Sequence, residues 1–426
     1  MGNGCGKDRR GLPSRCALRI GYVMTSICLH FHVHQPQWLR HYTFFDIDHD
    51  HRYEDRERNL TILNALSEKC YLPANKMILD VITRHEGKFR IALSITGVLL
   101  EQFENHHADV LDSFMRLADT GCVEFIGETY YHSLAFLFSL REFREQTMLH
   151  KKKIKMLFGQ TPRTFRHTEF IYNNDLANII EKMGYHSILA GSVESVLGWR
   201  SPNYVYQPAG CRKLKLLMRN RRLSDEIAVR FSDVQGSEYP LLADNYADRI
   251  HAMGDAGDVI NLFVEYGIFS EREREERGIF DFMRSLPGEI LTHPDFTFRT
   301  PAEIAKNLDP VAQLDVRDDI ASSGAENNLQ DWTGNSLQKD AITSLYSMEA
   351  KLRRRKDGGL LHTWRLLQEA ENFHCMHTGK RAEDGGMGTF SNPYSSPYDA
   401  YINYMNIIDD FSGMLSKRRS STYEGA

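Results

Sequence analysis

Four short stretches of the sequence combine side chains that accept, donate or relay protons. They are His32-Val33-His34-Gln35-Pro36, Thr129-Tyr130-Tyr131-His132, Arg166-His167-Thr168-Glu169 with Tyr172 close behind, and Leu223-Ser224-Asp225. His32 and His34 alternate with Val33, so an extended chain points both imidazoles to one side. Such a pair can ligate a metal or donate hydrogen bonds to hydroxyls, and the spacing leaves a structural role equally open. Tyr130, Tyr131 and His132 join flat aromatic faces to polar tips, which suits a sugar ring, although aromatics at a strand end also fill cores. Glu169 is a carboxylate inside an apolar run, where burial is costly unless the group is paired or functional. Arg166 is the nearest cation, but its offset from Glu169 would point it to the opposite face of a strand. Asp225 supplies a second carboxylate far along the chain. Two facing carboxylates are what cleavage of a glycosidic bond requires: one attacks the anomeric carbon or activates water, and the other protonates the departing oxygen. Their surroundings must hold the two pKa values apart. Only the fold can bring Glu169 and Asp225 together.

The elements that would position these groups alternate. Apolar runs at 27–33, 89–94, 123–128, 164–170, 187–191, 213–219 and 259–266 read as strands buried on both faces, as in a parallel sheet. Helical patterns lie between them, among them 141–157 and 175–183, the latter with Asp175 as a candidate cap and Gly184 where the helix should stop. Strand–helix alternation predicts an α/β barrel or an open doubly wound sheet over residues 24–290. Functional groups on such folds gather where strands end. From 291 to 426 the pattern changes to helices at 338–354, 360–375 and 398–411, joined by polar or Gly-rich segments at 321–328 and 382–388. The run 271–277 is almost wholly charged with alternating sign and reads as a solvated face.

Bulk properties narrow the function classes. The chain has 426 residues, with 52 Lys plus Arg against 57 Asp plus Glu, a formal charge of -5. This mild acidity argues against a bulk electrostatic grip on nucleic acid or anionic membrane, and is compatible with a neutral polyol. Seven cysteines are scattered singly, with no CxxC pair, which points to a reducing, cytoplasmic setting rather than a disulfide framework. No apolar run approaches the roughly 20 residues of a membrane span. Residues 1–23 are basic and Gly-rich and read as a disordered leader or an overlong start ahead of Met24.

Taken in order, 32–36, 124–132, 166–174, 223–232 and 259–280 resemble the five sequence regions of glycoside hydrolase family 57, above all its short bacterial-type α-amylases. The runs Phe390-Ser391-Asn392-Pro393-Tyr394 and Pro397-Tyr398-Asp399-Ala400-Tyr401-Ile402-Asn403-Tyr404 are similar to the end of those amylases. The resemblance covers about 26–411, nearly the whole chain. It implies an incomplete (β/α)7 barrel followed by an all-helical C-terminal region that walls the site. It also implies a retaining mechanism on α-linked glucan, by hydrolysis or 4-α-glucanotransfer, with Glu169 as nucleophile and Asp225 as acid/base. His32, His34, Gln35, Tyr130, His132, Arg166 and Tyr172 would line the substrate site. No metal or other cofactor is required, and the only partner implied is the glucan.

One region departs from the family pattern. Where the short amylases carry ETFGEHQ, this chain has Gly267-Ile268-Phe269-Ser270-Glu271-Arg272-Glu273. The lost carboxylate and imidazole motivate an alternative, a catalytically weakened or inactive α-glucan-binding relative. A third possibility, a metal-dependent hydrolase on a related barrel, would draw its ligands from His32, His34 and Asp46.

Overall fold

The computed structural model describes residues 24–236, 239–270, 272–321, 329–379 and 392–417, without the side chains of Ser232, Asp255, Arg272 and Glu273. The proposed leader 1–23, the joints 322–328 and 382–388, Phe390, Ser391 and Glu271 lie outside the described residues.

Among the described residues, ten strands run in chain order as β1 (Thr25–Val33), β2 (Ile91–Ile95), β3 (Val123–Phe125), β4 (Thr164–Arg166), β5 (Ser187–Ala190), β6 (Tyr206–Pro208), β7 (Lys215–Met218), β8 (Val259–Glu265), β9 (Phe296–Phe298) and β10 (Ala312–Leu314). One sheet has the order β3-β2-β1-β8, with β9 also pairing with β1; the other has the order β10-β6-β7-β5-β4. Every ladder is parallel except β6–β7. The sheets meet along two seams. At one, Gly127 N–H donates to Thr164 O and Arg166 N–H to Gly127 O, each at 2.8 Å. A Cβ on Gly127 would lie 2.6 Å from the Tyr185 hydroxyl oxygen, so the seam closes only around glycine. At the other, Asn220 N–H donates to Asn261 O and the Asn261 amide to Met218 O, both at 2.8 Å. The ring β1, β2, β3, β4, β5, β7, β8 is therefore an incomplete seven-stranded barrel, because β7 and β8 touch at their ends and form no ladder.

The strands are apolar throughout because both faces are buried. On β1, Ile27, Leu29, Phe31 and Val33 pack into the surrounding helix layer, whereas Cys28 joins the barrel interior with Leu217, Val259 and Phe263. The same alternation carries His30 and His32 inward. On β8, Ile260, Leu262 and Val264 face the helices, while Val259 and Phe263 face the interior. Two-residue periodicity thus aims His32 and Glu265 into the barrel at the carboxyl ends of their strands.

All seven expected strands are present, but several are shorter than the apolar runs. β4 stops at Arg166, since Glu169 (φ 53°) and Phe170 (φ 51°) turn into left-handed backbone. The helix Leu140–Phe158 is capped by Ser139 and ends at Gly159 in left-handed conformation. Asn173, not Asp175, caps Asn174–Lys182, and its side chain accepts from Leu176 N–H at 2.7 Å. Within 271–277 the solvated reading fails at Arg274. That side chain is buried and donates to Ile227 O and Ala228 O, satisfying the carbonyl end of the helix Arg221–Ala228.

The expected helical start at 291 is too early, because β9 and β10 follow it and pair into the two sheets. From 330 on, the described residues of the C-terminal region form only helices: Gln330–Thr333, Ser336–Ser347, Glu349–Arg355, Gly358–Leu366, Ala370–His374 and Pro397–Ser416. Its core, with Ile342, Leu345, Trp364, Tyr404 and Phe411, is continuous with Trp38 and Tyr42 from the loop after β1. The run 360–375, expected as one helix, is broken between Leu366 and Ala370. In the break, Ala370 N–H donates to His132 O at 3.0 Å, and Glu369 pairs with Ser133. The break locks the helical region to the barrel rim. No helix among the described residues is long and apolar enough to cross a membrane.

Candidate active site

The left-handed turn at Glu169 meets another at His132 (φ 46°). Thr129 and Thr168, one beside each turn, hydrogen-bond through their hydroxyls at 2.8 Å, and Thr168 also donates to Ser133 O at 2.9 Å. These braces hold two strained residues opposite one another. His132 Nε2 faces Glu169 Oε1 at 3.1 Å. The offset argument for Arg166 fails for the same reason: Glu169 has left the strand, so both side chains enter the site.

Around this contact the chain builds a buried network. His32 Nδ1 meets Glu265 Oε2 at 2.9 Å, and its Nε2 lies 3.4 Å from Glu128 Oε2. His34 spans Thr96 Oγ1 and Glu371 Oε1, both at 3.0 Å. Glu371 Oε1 is also 3.5 Å from His132 Nε2. The rings of His34 and His132 stack with centroids 4.2 Å apart, and His32 stacks on His132 at 5.2 Å. Arg166, fully buried, lies over the Phe170 ring at 4.5 Å, with nitrogens 3.9 Å from Glu128 and 3.7 Å from Glu265.

Charge is distributed unevenly through this network. Burial alone would strip His132 of its proton, but Glu371, Glu128 and Glu169 outweigh it and push the imidazole up to about 10. Burial and the charge on His132 lower His34, although Glu371 opposes them. Burial would raise Glu169, yet the His132 hydrogen bond and the charges of His132 and Arg166 hold it below the usual carboxylate range. Glu371 is pulled down to about 2, since His34 and His132 overcome its burial. Glu369 goes the other way: burial and the neighbouring Glu371 push its carboxyl well up. The rim therefore sets a partly exposed Glu169, held below the usual carboxylate range, against an imidazole that is held above its own.

Asp225 belongs to a second group on the helix Arg221–Ala228, just beyond β7. Its oxygens meet Arg219 at 2.7 Å and Arg221 at 3.4 Å, and Arg219 is itself fixed by donating to Phe263 O on β8. The other expected residues stand apart from the histidine network. Gln35 donates to Asn59 O at 3.4 Å. Tyr130 donates to Glu101 at 2.7 Å and packs its ring where a Cβ on Gly97 would be. Tyr172 is buried in an apolar cluster with Leu176 and Tyr206. Three acidic members, Glu128, Glu265 and Glu371, were not singled out from sequence. Glu128 and Glu265 follow apolar runs, the signal that marked Glu169. Glu371 sits in a stretch read as continuous helix and carried no such mark.

Among the described residues, donors of metal-binding type occur in two groups, His32–Glu128–His132 and His34–His132–Glu371, each within 4.8 Å. Arg166 already places a guanidinium 3.9 Å from the Glu128 oxygen that faces both histidines of the first group. In the first group a positive charge is thus already supplied by the chain itself. Asp46, the third ligand of a possible metal site, is instead held by Thr43 at 2.7 Å and by Arg40.

The carboxyl rim of this barrel is lined by carboxylates and imidazoles and packed against the helical region. Residues 28–317 match the sequence pattern of glycosyl hydrolase family 57, and the chain belongs to that family. The chain is 36% identical over 402 residues to a Methanocaldococcus jannaschii protein named "Putative alpha-amylase", covering 90% of this chain and 84% of that one. A GH57-type branching enzyme of Pyrococcus horikoshii shares the fold with a TM-score of 0.65 at 13% identity, covering 85% of this chain and 87% of that one. An α-amylase of Thermotoga maritima does so with a TM-score of 0.62 at 12% identity, over 92% and 94%.

Proposed function

We propose that the protein is a retaining glycosidase of α-linked glucan, with Glu169 as nucleophile and Asp225 as acid/base. The observation that carries this reading is the Glu169 carboxylate, held by His132 at 3.1 Å in a left-handed turn at the barrel rim. Glu169 attacks the anomeric carbon and the bond to the leaving oxygen breaks, while Asp225 delivers a proton to that oxygen. Asp225 then removes a proton from the water, or from the sugar hydroxyl, that resolves the glycosyl-enzyme. Water gives hydrolysis; sugar gives 4-α-glucanotransfer. The family relationship and the M. jannaschii relative support an α-glucan as substrate.

The test is incubation with maltooligosaccharides and glycogen, with products followed over time. Shorter products, lost in Glu169→Gln and Asp225→Asn, are expected; undiminished turnover in either variant would sink the assignment. Gly267, Ile268 and Ser270 favour a second reading, a glucan-binding protein with little turnover. Ile268 is buried in the helix-layer core, so this stretch serves packing where relatives carry polar groups. Binding of maltooligosaccharide by the wild type without product would select that reading.

A further inference from the structure

The loop between β5 and β6 has a feature the reaction above does not use. The chain contains four tryptophans, and Trp38, Trp332 and Trp364 are at most 4% exposed. Trp199 is 77% exposed. It follows Gly198, whose left-handed backbone (φ 57°) ends the turn Glu194–Leu197. An indole so far in water has no stabilising role in the fold, since burial is what an aromatic contributes.

Both ends of this loop are tied to the residues that precede Asp225. At its start, Ala190 O accepts from Arg219 N–H at 2.9 Å. Near its end, Asn203 Oδ1 accepts from the Asn220 side-chain amide at 2.9 Å. Arg219 grips Asp225 at 2.7 Å, and Asn220 caps the helix that carries it by accepting from Leu223 N–H at 3.1 Å. Trp199 is thus the aromatic tip of a loop anchored, front and back, to the base of the Asp225 helix. The guanidinium of Arg200 lies 5.6 Å from its ring centroid and adds hydrogen-bond donors beside the apolar face.

We propose that Trp199 is an outer sugar-stacking platform on the leaving-group side of the site, taking a glucosyl unit beyond the bond that breaks. The proposal rests on the assignment of Asp225 as acid/base, because the acid/base marks the side from which the leaving group departs. A pyranose presents an apolar face of C–H groups to an aromatic ring and hydroxyls to flanking donors. A platform here would set how many units the leaving chain needs for tight binding. It would also hold an acceptor sugar in competition with water.

Trp199 provides its own signal, since the other indoles are buried. Maltoheptaose is expected to change the tryptophan fluorescence of the wild type and to protect it from iodide quenching. Trp199→Ala should lose that signal and raise KM for maltoheptaose about three- to tenfold, the range expected for one aromatic contact. Its kcat/KM should fall far more for maltoheptaose than for α-glucosyl fluoride, whose leaving group reaches no outer sugar position. Trp199→Phe should restore most of the affinity. An unchanged KM for maltoheptaose in Trp199→Ala overturns the platform, as does an equal loss on both substrates. A wild type that neither binds nor cleaves any glucan overturns the assignment of function and the platform together; cleavage that is indifferent to Trp199 overturns the platform alone.

Discussion

His132 and Glu169 face one another at 3.1 Å, and both occupy left-handed backbone, with φ of 46° and 53°. Each such residue costs about 1–3 kcal/mol, so the surrounding contacts must over-determine the pair. The Thr129–Thr168–Ser133 hydrogen bonds do so locally. The arrangement raises the pKa of His132 and lowers that of Glu169.

This predicts a definite pH dependence. His132 is raised to about 10, so its contribution to stability is complete below about pH 6.5, the ordinary histidine value, and is lost as pH rises through about 10. Glu169 and Glu371 are lowered, so their contributions are present above the ordinary carboxylate range and lost as pH falls through their depressed values. Urea denaturation of the wild type should show stability declining between pH 7 and 10. His132→Ala should flatten that decline, and an unaltered slope would show that His132 holds no such proton. In the wild-type background, Glu169→Gln should lower the imidazole titration of His132 seen by NMR and reduce turnover by roughly 10⁴-fold or more.

Much of this was legible in the residues. Strands buried on both faces leave continuous apolar runs, which is why all seven barrel strands could be marked. β6, β9 and β10 have three residues each and, unlike the equally short β3 and β4, lie in no longer apolar run. The end of β4 was overrun because nothing in Glu169-Phe170 announces left-handed backbone in residues that carry side chains. The site divides the same way. His32, His34, His132, Arg166 and Glu169 could be named from local context. Glu371 could not, since its role depends on a helix breaking at 367–369 and docking on a rim more than 200 residues earlier in the chain.

Arg166 is predicted to hold the barrel mouth together. None of its three guanidinium nitrogens makes a close hydrogen bond, yet it lies buried between Glu128 and Glu265. Removing one member of a buried ion pair typically costs about 3–5 kcal/mol, because the partner charge is left uncompensated. Arg166→Met should therefore lower urea-denaturation stability by about that amount. The double variant Glu128→Met with Arg166→Met should be less destabilised than the single one. A single variant as stable as the wild type would show that His32 and His132 alone compensate Glu128.

The altered stretch after β8 makes a different kind of prediction. Tyr266, Ile268 and Phe269 are buried in the helix-layer core, and Gly267 between them is partly exposed at the end of the strand carrying Glu265. A carboxylate at 267 would restore the charge that the family pattern carries at this position. Gly267→Glu with Arg272→His should raise kcat if positioning is what this chain has lost, since misplacement can cost on the order of 100-fold. No gain would show that the existing groups already position the sugar.

Asp225 can be separated from Glu169 by the leaving group. A general acid matters in proportion to the poverty of the group that departs, and typically contributes about 10²- to 10⁴-fold. Asp225→Asn should therefore lose most turnover on maltooligosaccharides, whose leaving oxygen needs a proton. It should retain formation of the glycosyl-enzyme from α-glucosyl fluoride, because fluoride departs with little assistance. Resolution of that intermediate by water should then be slow, for the same Asp225 would have served as base, and an anionic nucleophile such as azide should accelerate it by yielding a glycosyl azide. Glu169→Gln should show neither residual turnover of the fluoride nor rescue that retains configuration. If the two variants behave alike on the fluoride, the division of labour between these carboxylates is wrong. The Arg219 contact at 2.7 Å would then be read as a structural ion pair.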